Sequence, residues 1–205
     1  MRLVVVTALV TFIATVSACA TDGSRTAANP VTSEVRQVDD SGSPLPFETK
    51  HSHRWNNAND GTRYEPCTAL PAFAVDAEGW DSSTARDAAG SNGQTLRGCT
   101  WTGQADQTGR WILSQFVGNS PNLERAKSRS PSDPYTVWMQ DLTISERTVG
   151  ILAYRDGSRC ETYVQSNKAG VYTAVSAITT DQPPISEICD RALAFTRATI
   201  GKMPV

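Results

Sequence analysis

Histidine is almost missing from this chain: His51 and His53 are the only two in 205 residues. A Ser-His-Asp or Cys-His centre needs a base held rigidly within hydrogen-bond reach of its nucleophile. The region read below as the folded domain has no histidine to supply one. The patterns G-x-S-x-G, S-x-x-K and H-E-x-x-H and the P-loop are absent from the chain after residue 18. No C-x-x-C spacing marks a metal centre, so no metal or cofactor is expected. Charge of one sign is lacking too, with 19 Lys and Arg against 21 Asp and Glu. Without a basic stripe, neither nucleic acid nor an anionic membrane surface is expected as the main partner. Long apolar runs are missing except for Leu3 to Thr15, which is shorter than the roughly 20 residues a bilayer-spanning helix needs.

That single run is informative because of what flanks it. Met1-Arg2 precedes it, and Val16-Ser17-Ala18-Cys19 follows, the layout of a secretory signal. The last four residues resemble the lipobox of bacterial lipoproteins, where the peptide is cut before a cysteine whose thiol takes a diacylglycerol. The resemblance implies residues 1–18 as a lipoprotein signal peptide, Ala18–Cys19 as the cleaved bond and Cys19 as the lipidated, palmitate-bearing residue. The alternative is an ordinary cleaved signal with Cys19 incidental. Two or three acyl chains anchor stably where one does not, so the expected location is the extracytoplasmic face of the cell membrane, lipid-anchored. Loss of residues 1–18 removes Arg2 and leaves a formal charge of −3.

With Cys19 assigned to lipid, Cys67, Cys99, Cys160 and Cys189 form an even set in an oxidising compartment. Four cysteines allow three connectivities. Cys67–Cys99 with Cys160–Cys189 is favoured because each pair lies within one half of the folded region and joins a predicted helix to a strand.

Residues 19–60 read as a lipidated N-terminus and flexible tether, rich in Pro, Ser, Thr, Gly, Asn and Asp and without hydrophobic periodicity. Leu45, Phe47 and Trp55 are the large apolar residues late in this segment suited to dock on the domain. Residues 61–205 read as one domain. The patterns predict a helix over 67–77, a loop over 81–94, strands at 97–101 and 111–117 joined by a loop around 103–109, and a helix opened by Ser120-Pro121 and ending near 128. Strands follow at 136–139, 148–154, 161–166 and 172–178, with hairpin signals at Asp156-Gly157 and Asn167–Gly170. A final helix has Ser186 as N-cap and Gly201 as stop, and places Ile188, Cys189, Ala192, Phe195, Thr196 and Thr199 on one face. The expected fold is α+β, an antiparallel sheet with helices packed on one face and two disulfides.

Few residues are candidates for chemistry. His51-x-His53 could chelate a metal from an extended strand, but Lys50 and Arg54 flank it and would repel a cation. Acids such as Glu146 and Asp156 could form a hydrolytic pair, yet both fall at predicted turns. Among five tryptophans, Trp101 and Trp111 are expected in the core. Trp80 and Trp138 lie near loops and are the candidates for surface binding.

The order Pro66-Cys67 with Leu70, then Gly98-Cys99-Thr100-Trp101, then Cys160 and a closing helix bearing Cys189, resembles the actinobacterial, mycobacterial-type envelope lipoproteins grouped as domain of unknown function 3558. The resemblance covers about Tyr64 to Met203. It implies the lipid anchor at Cys19 and the four disulfide cysteines, and supplies no catalytic residue. The expectation is a non-enzymatic binding module of the cell envelope whose partner is a protein, lipid or glycan. A carboxylate-dependent hydrolase and a lipid or glycolipid carrier are the alternatives.

Overall fold

Val171, Thr173, Val175 and Ala177 alternate with Tyr172, Ala174 and Ser176, and a period of two selects an extended strand. The same alternation recurs through the second half of the chain and builds the sheet that dominates the molecule. A computed structural model describes residues 35–104, 110–128, 133–179 and 181–205. The signal peptide 1–18, Cys19, the first part of the tether and residues 105–109 of the 103–109 loop lie outside the described residues.

In chain order the elements are α1 (Ala72–Ala77), β1 (Trp80–Asp87), β2 (Arg97–Gly103), β3 (Arg110–Asn119), α2 (Leu123–Ser128), β4 (Thr136–Trp138), β5 (Leu142–Ile144), β6 (Arg147–Tyr154), β7 (Arg159–Ser166), β8 (Ala169–Ile178) and α3 (Ile185–Ile200). The eight strands form one sheet in the order β1-β2-β3-β8-β7-β6-β4, with β5 also paired to β6. Every pairing is antiparallel. The long central contact joins β3 to β8, from Arg110 opposite Ile178 to Asn119 opposite Ala169.

One face of the sheet carries the core. Leu113, Val117, Val149, Val164, Val171 and Val175 are fully buried there, and α3 lays Ile188, Ala192, Phe195 and Ile200 over them. Trp101 and Trp111 are core residues as expected, and Trp101 packs 5.5 Å from Phe195. The disulfide Cys160–Cys189, with Cα atoms 5.0 Å apart, ties β7 to α3 as expected. Cys67 and Cys99 are neighbouring buried thiols, so one disulfide of the two is formed. A polar layer runs through this core. Tyr64 Oη donates to Gln115 Oε1 (2.6 Å), and Gln115 Nε2 donates to Thr173 Oγ1 (2.9 Å) and Thr199 Oγ1 (3.1 Å).

Several expectations need correction. The domain begins near Val35, not at residue 61, because the segment expected to be tether is docked. Leu45 is in the core with Phe47 and Trp55 packed against it, and Arg54, Asn59 and Thr49 are buried. The first helix starts after Pro71 rather than at Cys67, since proline disfavours helix in the residue before it. Residues 80–87, expected to be mostly loop, form an edge strand with a bulge between Asp81 and Arg86. Asn122, not Ser120, caps α2, its Oδ1 accepting from the Arg125 amide (2.8 Å). Pro184 rather than Ser186 precedes α3. Strand β5 was not expected; its two-residue turn to β6 uses Ser145 (φ 48°) and Glu146 (φ 64°), a conformation usually signalled by Asn-Gly. The helices are not all on one face either. Side chains alternate across each strand, and α2 places Ala126 over Tyr163 and Tyr172, which point away from α3.

Candidate functional site

Two constellations stand out, one buried and one open. The buried one gathers four charges from three distant segments. The Arg54 guanidinium donates from Nη1 and Nη2 to the two carboxylate oxygens of Glu65, both at 2.8 Å, and from Nη2 to the Gly98 carbonyl (3.0 Å). Its Nε pairs with Asp87 Oδ1 (3.1 Å), whose other oxygen accepts from Thr49 Oγ1 (2.6 Å). Arg97 adds a second cation, Nη1 to Glu65 Oε2 (2.9 Å), and donates to the carbonyls of Asn59 and Thr62. Two cations thus face two anions, and the side chains of Arg54 and Glu65 are 0% and 2% exposed. Burial alone would raise the Glu65 carboxyl. The hydrogen bonds from Arg54 and the charges of Arg54 and Arg97 overcome it and hold the group below the usual carboxylate range. The Cys67 thiol beside them is pushed well up by burial and by its contact with Cys99, the opposite of an activated nucleophile. This cluster is a clamp: it fixes the 35–65 segment onto β1 and β2.

The open constellation lies on the sheet face opposite α3. Two adjoining cavities, of about 250 and 600 Å³, share Glu161 and Tyr172 in their walls. The first is lined by Trp138, Leu152, Tyr154 and Tyr163 under Ala126 of α2. The second is lined by Phe116, Arg159 and the β1–β2 loop residues Gln94, Thr95 and Leu96. Together they make a trough crossing β6, β7, β8 and β3. Its floor is aromatic: Tyr163 and Tyr172 meet edge to face at 5.1 Å. Gly170 permits this, because a Cβ there would run into the Tyr163 ring and come within 3.0 Å of Tyr172 Cε2.

At the junction of the two cavities, Arg159 Nε stands 2.7 Å from Glu161 Oε1, a charge contact rather than an aligned hydrogen bond. Arg159 also lies over the Tyr154 ring at 5.5 Å, and Tyr154 Oη approaches Glu161 Oε1 at 3.4 Å. Burial and the neighbouring Glu161 charge raise the Tyr154 phenol above its ordinary value, so it stays a neutral donor at physiological pH. Lys127, paired with Asp141 at 2.7 Å, sits over the Trp138 ring at 5.6 Å.

The sequence candidates fall unevenly on this map. Trp138 belongs to the trough. Trp80 does not present a surface: it is 1% exposed and part of the core, because the residues after it form β1 instead of a loop. Glu146 and Asp156 sit at opposite ends of β6, which at about 3.3 Å per residue separates them by roughly 25–30 Å. A hydrolytic pair needs about 5–10 Å, so the fold does not bring these two together. His51 and His53 lie in the docked segment, where the His53 amide donates to Asn92 Oδ1 (2.8 Å). Among the described residues, no three His, Cys, Asp or Glu side chains group to hold a metal. No helix among the described residues is long and apolar enough to cross a membrane. Sequence reasoning missed Arg159, Glu161, Tyr154 and Tyr172. Their signal was present only in part, since Tyr154, Arg159, Glu161, Tyr163 and Tyr172 share the outward positions of β6 to β8 with Thr148, Leu152, Ala174 and Ser176.

Fold and site define a class: an antiparallel-sheet domain with one face sealed by a disulfide-clamped C-terminal helix and the other open and aromatic. Residues 14–202 match a family model described as protein of unknown function (DUF3558), and the chain belongs to that family. The match reaches well ahead of Tyr64 and takes in the docked segment. Comparison with curated proteins and with solved structures gave no match.

Proposed function

We propose that this chain is a non-enzymatic binding module of the cell envelope, held at the extracytoplasmic face of the plasma membrane by lipid on Cys19 after removal of residues 1–18. The observation that carries the binding role is the open aromatic trough opposite α3, with Trp138, Tyr154 and Tyr172 around the Arg159–Glu161 charge pair. The lipobox-like Val16-Ser17-Ala18-Cys19 supports the anchor. In the oxidising compartment so reached, Cys67 and Cys99 close as a second disulfide, which non-reducing peptide mapping would reveal as a Cys67–Cys99 peptide.

The binding role is tested in the intact envelope. A photo-crosslinking residue replacing Trp138 in the full chain is expected to capture a discrete adduct, and Tyr172→Arg, which fills the trough with charge, to abolish it. Turnover of an envelope substrate by the purified chain, lost in Glu161→Gln, would overturn the non-enzymatic reading.

A further inference from the structure

We infer that the trough binds a neutral oligosaccharide, a chain of uncharged sugar rings laid across β6, β7, β8 and β3. The inference rests on the binding role proposed above and names its ligand class. Four features of the trough carry it.

The first is shape. Four adjacent strands at about 4.8 Å spacing give a length of about 14 Å, room for a short chain of rings rather than one. The larger cavity, about 600 Å³, lies within the range of roughly 300–1,000 Å³ common to small-molecule sites.

The second is the alternation of surface chemistry. A pyranose has flat faces of C–H groups and a rim of hydroxyls. Aromatic rings at Trp138, Tyr154, Tyr172 and Phe116 offer large, rigid, partly exposed surfaces for the faces. Glu161, Arg159, the neutral Tyr154 phenol and Gln94 offer acceptors and donors for the rim.

The third is charge. Arg159 is balanced by Glu161 and Lys127 by Asp141, both at 2.7 Å. Asp133 on the wall, its carboxyl held below the ordinary range by hydrogen bonds from the Tyr135 amide and Thr136, also feels the charge of Arg155, so the wall is close to neutral. A charged ligand therefore meets no large excess of opposite charge there.

The fourth is the position of the charge pair. Glu161 and Arg159 stand where the cavities join, so an acyl chain running the trough would cover both and strip them of water without replacing its hydrogen bonds, which is costly. Sugar hydroxyls replace those bonds.

The test uses the full chain in a polyoxyethylene detergent, which carries no sugar. Calorimetric titration with maltotetraose, cellotetraose, mannotetraose and arabinotetraose is expected to give saturable binding to at least one, with a change in tryptophan emission from Trp138. Glu161→Gln and Tyr172→Ala, both checked for an unchanged melting curve, are expected to weaken it about tenfold or more. Tyr154→Phe is expected to weaken it less than Tyr154→Ala, because it keeps the ring and loses the donor. No binding to any of the four overturns the inference. So does binding of phospholipid vesicles or peptides that the same variants abolish, an outcome that leaves the binding role standing. Failure of that role itself shows instead as loss of the Trp138 crosslink in the envelope.

Discussion

Glu65 is the residue on which the N-terminal half turns. It accepts from Arg54 and Arg97 inside the protein, so removing its charge leaves the buried Arg54 guanidinium with Asp87 alone and breaks the ion pair of the buried Arg97. Breaking a buried pair from one side typically costs about 3–5 kcal/mol, and Glu65→Gln is expected to destabilise the domain by that order in urea melts. The pH dependence has a definite sign. The folded carboxyl lies below its unfolded value of 4.5, so the unfolded chain binds the proton more tightly. The contribution is complete above that value and is lost as pH falls from there through the depressed folded one. Wild-type stability should therefore drop on acidification below about pH 4.5 more steeply than that of Glu65→Gln. Equal acid slopes would show that Glu65 is not held ionised. Little of this was legible beforehand. Arg54 stands among Asn, His and Ser in a stretch that reads as solvated, and nothing local to it announces a partner 11 residues on and another on β1.

At the scale of elements, the parts most readable from sequence were those whose own residues carry the signal. Helix α3 repeats its buried face every three to four residues, and β6 to β8 alternate between turns marked by Asp156-Gly157 and Asn167-Lys168. The edges were not readable. After Trp80, β1 is mostly polar along both faces, held by pairing to β2 and by local bonds such as Thr84 Oγ1 to the Asp81 carbonyl (2.7 Å). β5 depends on a turn with no glycine. The trough was half readable for the same reason: Trp138 advertises itself, whereas Tyr154, Glu161 and Tyr172 become neighbours only when β6, β7 and β8 pair. Two predictions belong at this scale. Replacing Cys160 and Cys189 together by serine reopens a loop with a sequence separation of 29, which in the chain-entropy picture costs roughly 3–4 kcal/mol. That loss should appear as a lowered urea midpoint. A chain starting at residue 61 loses Arg54 and uncovers Glu65, and is expected to lack the near-ultraviolet circular dichroism that a chain starting at residue 35 retains. A cooperative melt from the shorter chain would show that the docked segment is dispensable.

For the whole molecule, docking of the 35–60 segment changes what the anchor implies. A tether through residue 60 would let the domain wander; instead 15 residues lie between Cys19 and Val35. A fully extended chain of that length spans at most about 55 Å at about 3.4 Å per residue, so the lipid proposed at Cys19 would confine the trough to the layer next to the bilayer. The molecule as proposed is thus a short-leashed receptor, and its two halves separate experimentally. Cys19→Ala removes the proposed lipid attachment point while leaving the clamp, the disulfide and the trough within residues 35–205 untouched. Its melting curve and its binding at the trough should match those of the unaltered chain, and its location should shift from the membrane pellet to the soluble extracytoplasmic fraction. One acyl chain gives only marginal attachment and two or more hold stably, so the unaltered chain should resist extraction by salt and yield only to detergent. If Cys19→Ala, with residues 1–18 removed, remained in the pellet through a high-salt wash, some surface other than the lipid would be holding the protein at the membrane. The anchor assignment, though not the trough, would then fall.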